Sequence, residues 1–497
     1  MLGVSIINEN NTKQTMETKG SEYTQSFVDI KEILTTPENF YDKIVKVCGW
    51  IKTFRGGKKL GFLKLSDGSH VHGLQIVFSD ANSDDFKTGT SMSIVGKIVK
   101  SLGKGQNVEM HAEKWEIHGK ITNPESYPIA KVELSMDYLR GIPHLRTRTD
   151  TFQAIRRIES ELKYGIDKFF HKHGFIKVKV PCITSSDCEG AGEVFTVTTL
   201  NGSSDYSQDF FKKRCYLTVS GQLHLEALVL GGLQKAYTET TAFRSEKSMG
   251  PRHLCEFTML ELEFCFSTLE DNMKVNEGLI KAGLQRVLDK CMPDLEFLQN
   301  KLKPDLIETI KKYITQPFVV STHKECVQIM LDDIKSGKVK IDPEKVPESG
   351  LMVFREAPGY SDDLSKDHER YITEIIYGGL PVFVRHFPAK IKAFYMPKVD
   401  VGSDVEHVDG FDLLFPLIGE VVGGSQRCYD YDELQQRMKE MNVSPEPLEY
   451  YSELRKYGSV PHGGSGVGLS RLLMICTGIF NIKDMETFPR SYESCLF

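Results

Sequence analysis

Between residues 36 and 122 the apolar positions fall in short alternating runs divided by polar turns, the period-2 pattern of strands with one buried face. Lys43–Phe54 carries Ile44, Val45, Val47, Trp50 and Ile51, and Leu60–Leu65 follows a Gly56-Gly57-Lys58-Lys59 turn. Leu74–Phe78, Met92–Val99 and Val108–Ile117 complete five strands, and the polar stretch Asp80–Thr90 predicts a helix between the third and fourth. This arrangement predicts an N-terminal five-stranded OB-type barrel, although other small β domains share its spacing. A connector over 123–145 holds Pro124, Pro128 and Pro143 and predicts a hinge. The period then changes. Phe152, Ile155, Ile158, Leu162, Ile166, Phe169 and Phe170 lie at helical spacing and predict one long amphipathic helix over Asp150–His173. The remainder of 146–497 mixes strands and helices without a βαβ rhythm, which predicts an α+β domain whose antiparallel sheet is flanked by helices. Residues 1–35 mix Asn, Thr, Lys and Glu around a short apolar patch and predict a disordered extension.

Composition changes this picture little. The chain has 497 residues, 40% hydrophobic and 26% charged, with a net charge of −6, so any nucleic-acid surface has to be local. No apolar run approaches the ~20 residues that span a bilayer. The start lacks the basic and apolar regions of a secretion signal. The 11 cysteines include no C-x-x-C pair, which points to reduced thiols in the cytoplasm rather than a zinc ribbon.

The candidate chemistry lies in three clusters. Phe243-Arg244-Ser245-Glu246, a loop through Gly250-Pro251-Arg252-His253, and Glu256–Glu263 read as two antiparallel strands. Side chains two apart share a face, so Arg244 and Glu246 point one way, as do Phe257, Met259, Glu261 and Glu263. Such a face offers an arginine for a phosphate, an aromatic ring for a base and carboxylates beyond; a surface hairpin with ordinary ion pairs fits the same residues. In the second cluster, Asp412 and Glu420 are carboxylates on otherwise apolar strands, where an unpaired charge is costly. Magnesium held between them and ATP phosphates satisfies both, and a structural salt bridge is the competing reading. The third, His462-Gly463-Gly464-Ser465-Gly466-Val467-Gly468-Leu469-Ser470-Arg471, reads as a glycine-rich strand-to-helix turn that places Arg471 about a turn into the following helix, or as a tight packing turn. There is no G-x-x-x-x-G-K-[ST] loop.

Taken in order, with Gly174-Phe175-Ile176 through Pro181 before them, these clusters resemble the signature motifs of class II aminoacyl-tRNA synthetases. An OB domain ahead of the catalytic domain is the arrangement of the Asp, Asn and Lys subgroup. Within it, Ser186–Glu193, Leu217-Thr218-Val219-Ser220-Gly221-Gln222-Leu223, Ile391–Met396 and Gly419–Arg427 look asparaginyl. His224-Leu225-Glu226 lacks the lysine of the aspartyl pattern. The resemblance implies activation of L-asparagine with ATP and Mg²⁺, transfer to tRNA(Asn), and a homodimer built on the first motif. It implies that Arg244 holds the α-phosphate, Arg252 or His253 and Arg471 the γ-phosphate, and that Phe257 stacks on adenine, with Glu246 and Gly468 in the same ATP site. Arg244, Glu246 and Arg471 are the implied catalytic residues, and Asp412 and Glu420 the metal ligands. Glu189, Ser220 and Gln222 surround the α-amino end, while Glu261 accepts from the side-chain NH₂ and Arg427 donates to its carbonyl. Phe62 and Gln75 read the middle anticodon base, beside a basic patch of Lys52, Arg55, Lys58, Lys59 and Lys64; as a residue, Phe62 also fits a barrel core. Ser465, Ser470 and Cys428-Tyr429 depart from the family pattern. An aspartyl enzyme of relaxed tRNA specificity and a non-catalytic tRNA-binding paralogue remain the alternatives.

Overall fold

The computed structural model describes residues 26–56, 60–79, 85–103, 105–129, 134–186, 194–346 and 350–497. The chain divides into two compact units, Met1–Tyr127 and Pro128–Phe497.

In the first unit, five strands close a barrel: β1 (Ile44–Gly56), β2 (Leu60–Ser66), β3 (Leu74–Ser79), β4 (Ser91–Lys100) and β5 (Val108–Gly119), in the order β1-β2-β3-β5-β4. β4 returns to pair with β1 and β3 runs parallel to β5. Alternation puts Val47, Leu63, Leu65, Ile76, Phe78, Ile94 and Met110 in the core. Two expectations need correcting. The short helix Ile30–Thr35 buries Ile30 and Ile33 in the barrel core, and the Ile30 amide donates to Asp67 Oδ2 at 2.8 Å. The folded unit therefore begins before residue 36, because two apolar side chains at helical spacing close the barrel. The helix expected over Asp80–Thr90 falls partly outside the described residues, and its described part, 85–90, is a series of turns that buries Phe86.

The second unit is built on an eight-stranded sheet: β6 (Ile176–Lys177), β7 (Lys235–Phe243), β8 (Glu256–Cys265), β9 (Val319–Thr322), β10 (Val382–Arg385), β11 (Gly410–Phe415), β12 (Gly419–Gln426) and β13 (His462–Gly468). Its order is β9-β10-β11-β12-β13-β8-β7-β6. The sheet is mixed rather than wholly antiparallel, since the outermost pairs, β6 with β7 and β9 with β10, are parallel. The predicted long helix runs over Asp150–Lys172, capped by the Thr149 side chain, and packs with helix Leu269–Lys290 over one sheet face. Leu260, Leu262 and Phe264 of β8 point into that layer. Period-2 geometry then sends Met259, Glu261 and Glu263 to the opposite face, where the candidate site lies. The expected hinge is only partly a connector. Helices Met136–Arg140 and Pro143–Arg146 belong to this unit, where Arg140 pairs with Asp484 and the fully buried Arg146 donates to the Lys483 carbonyl at 3.1 Å.

Candidate active site

β7 and β8 form the expected antiparallel pair, Phe243 opposite Glu256, and Arg244 extends the ladder through its amide to the Cys255 carbonyl at 3.0 Å. The 244–255 loop folds back over the sheet. Arg244, Glu246, Arg252, His253 and Phe257 line one cleft of about 280 Å³. Glu420 of β12, Gly468 at the end of β13 and Arg471 of helix Leu469–Thr477 close it. Every residue singled out for the nucleotide is thus brought together. The Arg244 guanidinium lies 5.8 Å from the Phe257 ring centre, and Arg471 Nη1 donates to the Glu420 carbonyl at 2.6 Å. The third cluster is the expected strand-to-helix transition, with Arg471 in the first turn of helix Leu469–Thr477. His462–Gly468 is a full strand between β12 and β8. Its glycines give room: a Cβ on Gly464 would stand 2.1 Å from Glu263 Cδ.

Arg252 does not reach into the cleft unencumbered. Its Nη1 donates to the Ile418 carbonyl at 2.6 Å and to Glu369 Oε2 at 3.2 Å. Burial pushes the Glu369 carboxyl up to about 7; Arg252 opposes the shift and Glu420 adds to it. A raised folded-state value means stability present below the unfolded value of 4.5 and lost as pH rises through 7. Relative to Glu369→Gln, the wild-type chain should lose up to ~3 kcal/mol of unfolding free energy between pH 4.5 and pH 8. Denaturant titrations of both proteins at the two pH values check this; a pH-independent difference would reject it.

Asp412 and Glu420 face each other across Gly423, where a Cβ would stand 3.9 Å from Asp412 Oδ1 and 3.1 Å from Glu420 Oε1. The other Asp412 oxygen, Oδ2, is held by Lys392 Nζ at 2.6 Å, and that ammonium lies 3.9 Å from the centre of the Phe387 ring. Burial raises Asp412 to about 6, with Lys392 opposing and Glu420 adding. A salt bridge therefore occupies one Asp412 oxygen, while Asp412 Oδ1 and Glu420 Oε1 both lie near the Gly423 position.

Further along the same face of β8 follows a cluster of buried polar side chains. Glu261 accepts from the Ser220 hydroxyl and, at 2.9 Å, from the Gly221 amide. Ser220 Oγ in turn accepts from the Gln222 amide at 3.1 Å. The resemblance assigns Arg427 to the carbonyl and Glu261 to the NH₂ of the substrate amide. Within the protein, Arg427 is bonded to Glu263, with Nε at 3.1 Å from Oε1 and Nη2 on the same oxygen, while Nη1 donates to Ser425 Oγ at 2.5 Å. The reason is register. Glu263 pairs with Gly464 and β12 places Ser425 beside Gly464, so the chain leaving β12 meets Glu263 rather than Glu261. Burial raises Glu263 and Glu261 alike; Arg427 opposes the shift at Glu263, and Ser220 and Gly221 oppose it at Glu261. Glu189 lies outside the described residues.

Sequence reasoning gave no role to Glu226, Arg455, Tyr451 and His462, all buried around these carboxylates, nor to Lys392 and Glu369. One local signal existed: Gln222 and Glu226 are four apart on a helix otherwise lined by Leu223, Leu225 and Leu228, where a buried carboxylate needs partners.

In the barrel unit, Phe62 is 43% exposed, which settles its place on the outer face rather than in the core. With Gln75, Arg55, Lys64, His70 and His72 it lines a cleft of about 560 Å³. Gln75 Nε2 donates to Glu109 Oε2 at 3.2 Å.

Comparison with known proteins agrees with this geometry. Residues 135–492 match the family model for tRNA synthetases class II (D, K and N), and residues 45–117 that for the OB-fold nucleic acid binding domain. An asparagine–tRNA ligase of Borreliella burgdorferi is 40% identical over 486 residues, 95% of this chain and 100% of that one. The asparaginyl-tRNA synthetase of Pyrococcus horikoshii, solved with asparaginyl-adenylate, superposes with a TM-score of 0.79 at 30% identity, covering 94% of this chain and 98% of that one. The Entamoeba histolytica enzyme, also with asparaginyl-adenylate, gives 0.76 at 28% identity, over 91% and 96%. The barrel, the mixed catalytic sheet and these matches over nearly the whole length place the chain in the asparagine–tRNA ligase family of class II aminoacyl-tRNA synthetases.

Proposed function

We propose that the chain activates L-asparagine with ATP to asparaginyl-adenylate and pyrophosphate, then transfers asparagine to the 3′ end of tRNA(Asn). One observation carries this reading: an arginine-lined cleft and a buried carboxylate–guanidinium cluster lie along one face of β8, an arrangement that suits a nucleotide next to an amino acid.

Activation needs no protein nucleophile. The asparagine carboxylate attacks the α-phosphorus and pyrophosphate departs, so the protein's task is to align the two and offset charge. Arg244 steadies the α-phosphate, Arg471 the γ-phosphate, and Phe257 stacks on adenine. Glu246, His253 and Gly468 complete the nucleotide site. Arg252 reaches a phosphate only by exchanging Glu369 for it. Ser220, Gln222 and Glu261 take the α-ammonium, with Glu189 assigned to the same end. Asparagine's amide both donates and accepts, and the pair that matches it is Glu263 with Arg427, in place of Glu261 with Arg427. The fit for Mg²⁺ is good: Asp412 Oδ1 and Glu420 Oε1 converge, and magnesium favours one or two carboxylates plus phosphate oxygens. Bound there, it would neutralise charge on the phosphates.

Phe62, exposed beside Gln75, Arg55 and Lys64, supports stacking and backbone neutralisation of an anticodon. A homodimer is supported by the edge strand β6, where Ile176 is 47% exposed and the strand's outer edge is open. The cysteines Cys215, Cys265, Cys291 and Cys326, buried as free thiols, support a reducing cytoplasm. Among the described residues no helix is long and apolar enough to cross a membrane.

ATP–pyrophosphate exchange with asparagine, aspartate, glutamine and lysine tests the reading. Exchange with asparagine alone, followed by charging of tRNA(Asn), is the expected result. Exchange with aspartate would move the assignment to an aspartyl enzyme, and no exchange to a non-catalytic paralogue.

A further inference from the structure

Behind the amino-acid site stands a carboxylate that is not itself assigned to a ligand. Glu226, on helix Gln222–Leu228, is fully buried. Its Oε1 accepts from Gln222 Nε2 and from the Tyr451 hydroxyl, both at 3.0 Å. Its Oε2 accepts from the Tyr451 hydroxyl at 2.8 Å, from Arg455 Nη2 at 2.5 Å and from His462 Nε2 at 3.0 Å. Arg427 Nε lies 3.8 Å from Oε1. Burial alone would raise this carboxyl, yet Arg455, His462 and Arg427 together hold it well below the usual range.

Two consequences follow from chemistry. A carboxylate only accepts, so the contact fixes which end of the Gln222 amide faces Glu226: the NH₂ turns inward and the carbonyl oxygen is left for a donor such as an α-ammonium. Glu226 also places a second carboxylate beside Arg427. With Glu263, it flanks Arg427 with two carboxylates, so Arg427 is not an uncompensated cation for a substrate. An aspartate side chain, which needs such a cation, finds none, whereas an amide needs only a matched donor and acceptor.

We infer that Glu226 is a positioning residue that sets asparagine-over-aspartate specificity from behind the pocket, by orienting Gln222 and by balancing the charge of Arg427. This rests on the activation reading proposed above.

The test uses the full-length enzyme and its Glu226→Gln variant in ATP–pyrophosphate exchange with asparagine and with aspartate, each as KM and kcat. The variant should raise KM for asparagine at least about tenfold and leave KM for ATP unchanged. The asparagine-to-aspartate ratio of kcat/KM should fall at least about tenfold, the scale for one unbalanced polar contact in a specificity pocket. Should Glu226→Gln fail to fold with Arg455 left uncompensated, the double variant Glu226→Gln/Arg455→Met removes both charges and should show the same loss of ratio. A folded variant that loses activity on both substrates at a constant ratio would overturn the inference and leave Glu226 as a core ion pair. A wild-type enzyme that fails to activate asparagine would instead remove the activation reading itself.

Discussion

Glu263→Gln is expected to lower kcat/KM for asparagine by about 10²–10³-fold and to erode most of the roughly 10⁴-fold preference over aspartate that one buried, substrate-matched polar group can support. The argument rests on what each partner can do. Arg427 has only donors and an ionised glutamate only accepts, so the two together match a carboxamide and mismatch a carboxylate. Glutamine at 263 no longer repels aspartate and can turn its own NH₂ toward the amide of asparagine. Glu261→Gln is the control that separates the two neighbouring carboxylates. Glu261 is tied to Ser220 and Gly221, at the end assigned to the α-ammonium common to both amino acids. Its loss should depress exchange with asparagine and aspartate by similar factors and leave their ratio intact. If Glu261→Gln collapses the ratio and Glu263→Gln spares it, the pocket runs the other way, as the sequence alone implied. Retained ATP affinity in both variants would show that the sheet has survived the change, which matters because breaking a buried ion pair costs ~3–5 kcal/mol.

Arg244→Ala should be the most damaging change on the nucleotide side, lowering exchange with saturating asparagine by about 10²–10³-fold, the usual cost of removing one preorganised group from developing phosphate charge. The position is rigid: the Arg244 amide is the last rung of the β7–β8 pairing and its guanidinium lies over the Phe257 ring. A charge held this way needs little reorganisation at the moment of reaction. Arg244→Lys keeps the charge and loses the planar fork, so it should recover part of the rate without the whole. Asparagine binding measured without ATP should be unchanged in both variants. Equal activity of Arg244→Ala and wild type would transfer the α-phosphate to another cation of the cleft.

The nucleotide cleft was legible because its residues are near neighbours in the chain or lie on short, strongly patterned elements. Arg244, Glu246, Arg252, His253 and Phe257 come from one hairpin, and period-2 alternation by itself places Phe257, Glu261 and Glu263 on a common face. The barrel strands were legible for the same reason, since each announces its buried side by alternation. The helix expected over 80–90 misled because polar composition marks a connection without specifying its shape. The start of the barrel unit was misplaced because Ile30 and Ile33 are too few apolar positions to read as a helix until a core exists to receive them.

Which carboxylate meets Arg427 lay beyond any local pattern. Glu261 and Glu263 are equivalent to period-2 reasoning, and the choice depends on the register of β12 and β13 against β8, set by contacts some 160 positions apart in the chain. The Glu226 cluster is a stronger case: Gln222, Arg427, Tyr451, Arg455 and His462 come from four separate segments, and no local pattern in any of them points to a shared buried carboxylate. What the sequence determined by itself was therefore the local chemistry, the two domain types and the family, because alternation, helical spacing and short motifs are properties of adjacent residues. What only the tertiary structure decided was pairing: Glu263 with Arg427, Lys392 with Asp412, Glu369 with Arg252. The energy of a buried charge depends on which partner the packed sheet brings within hydrogen-bond reach, and no spacing along the chain encodes that distance.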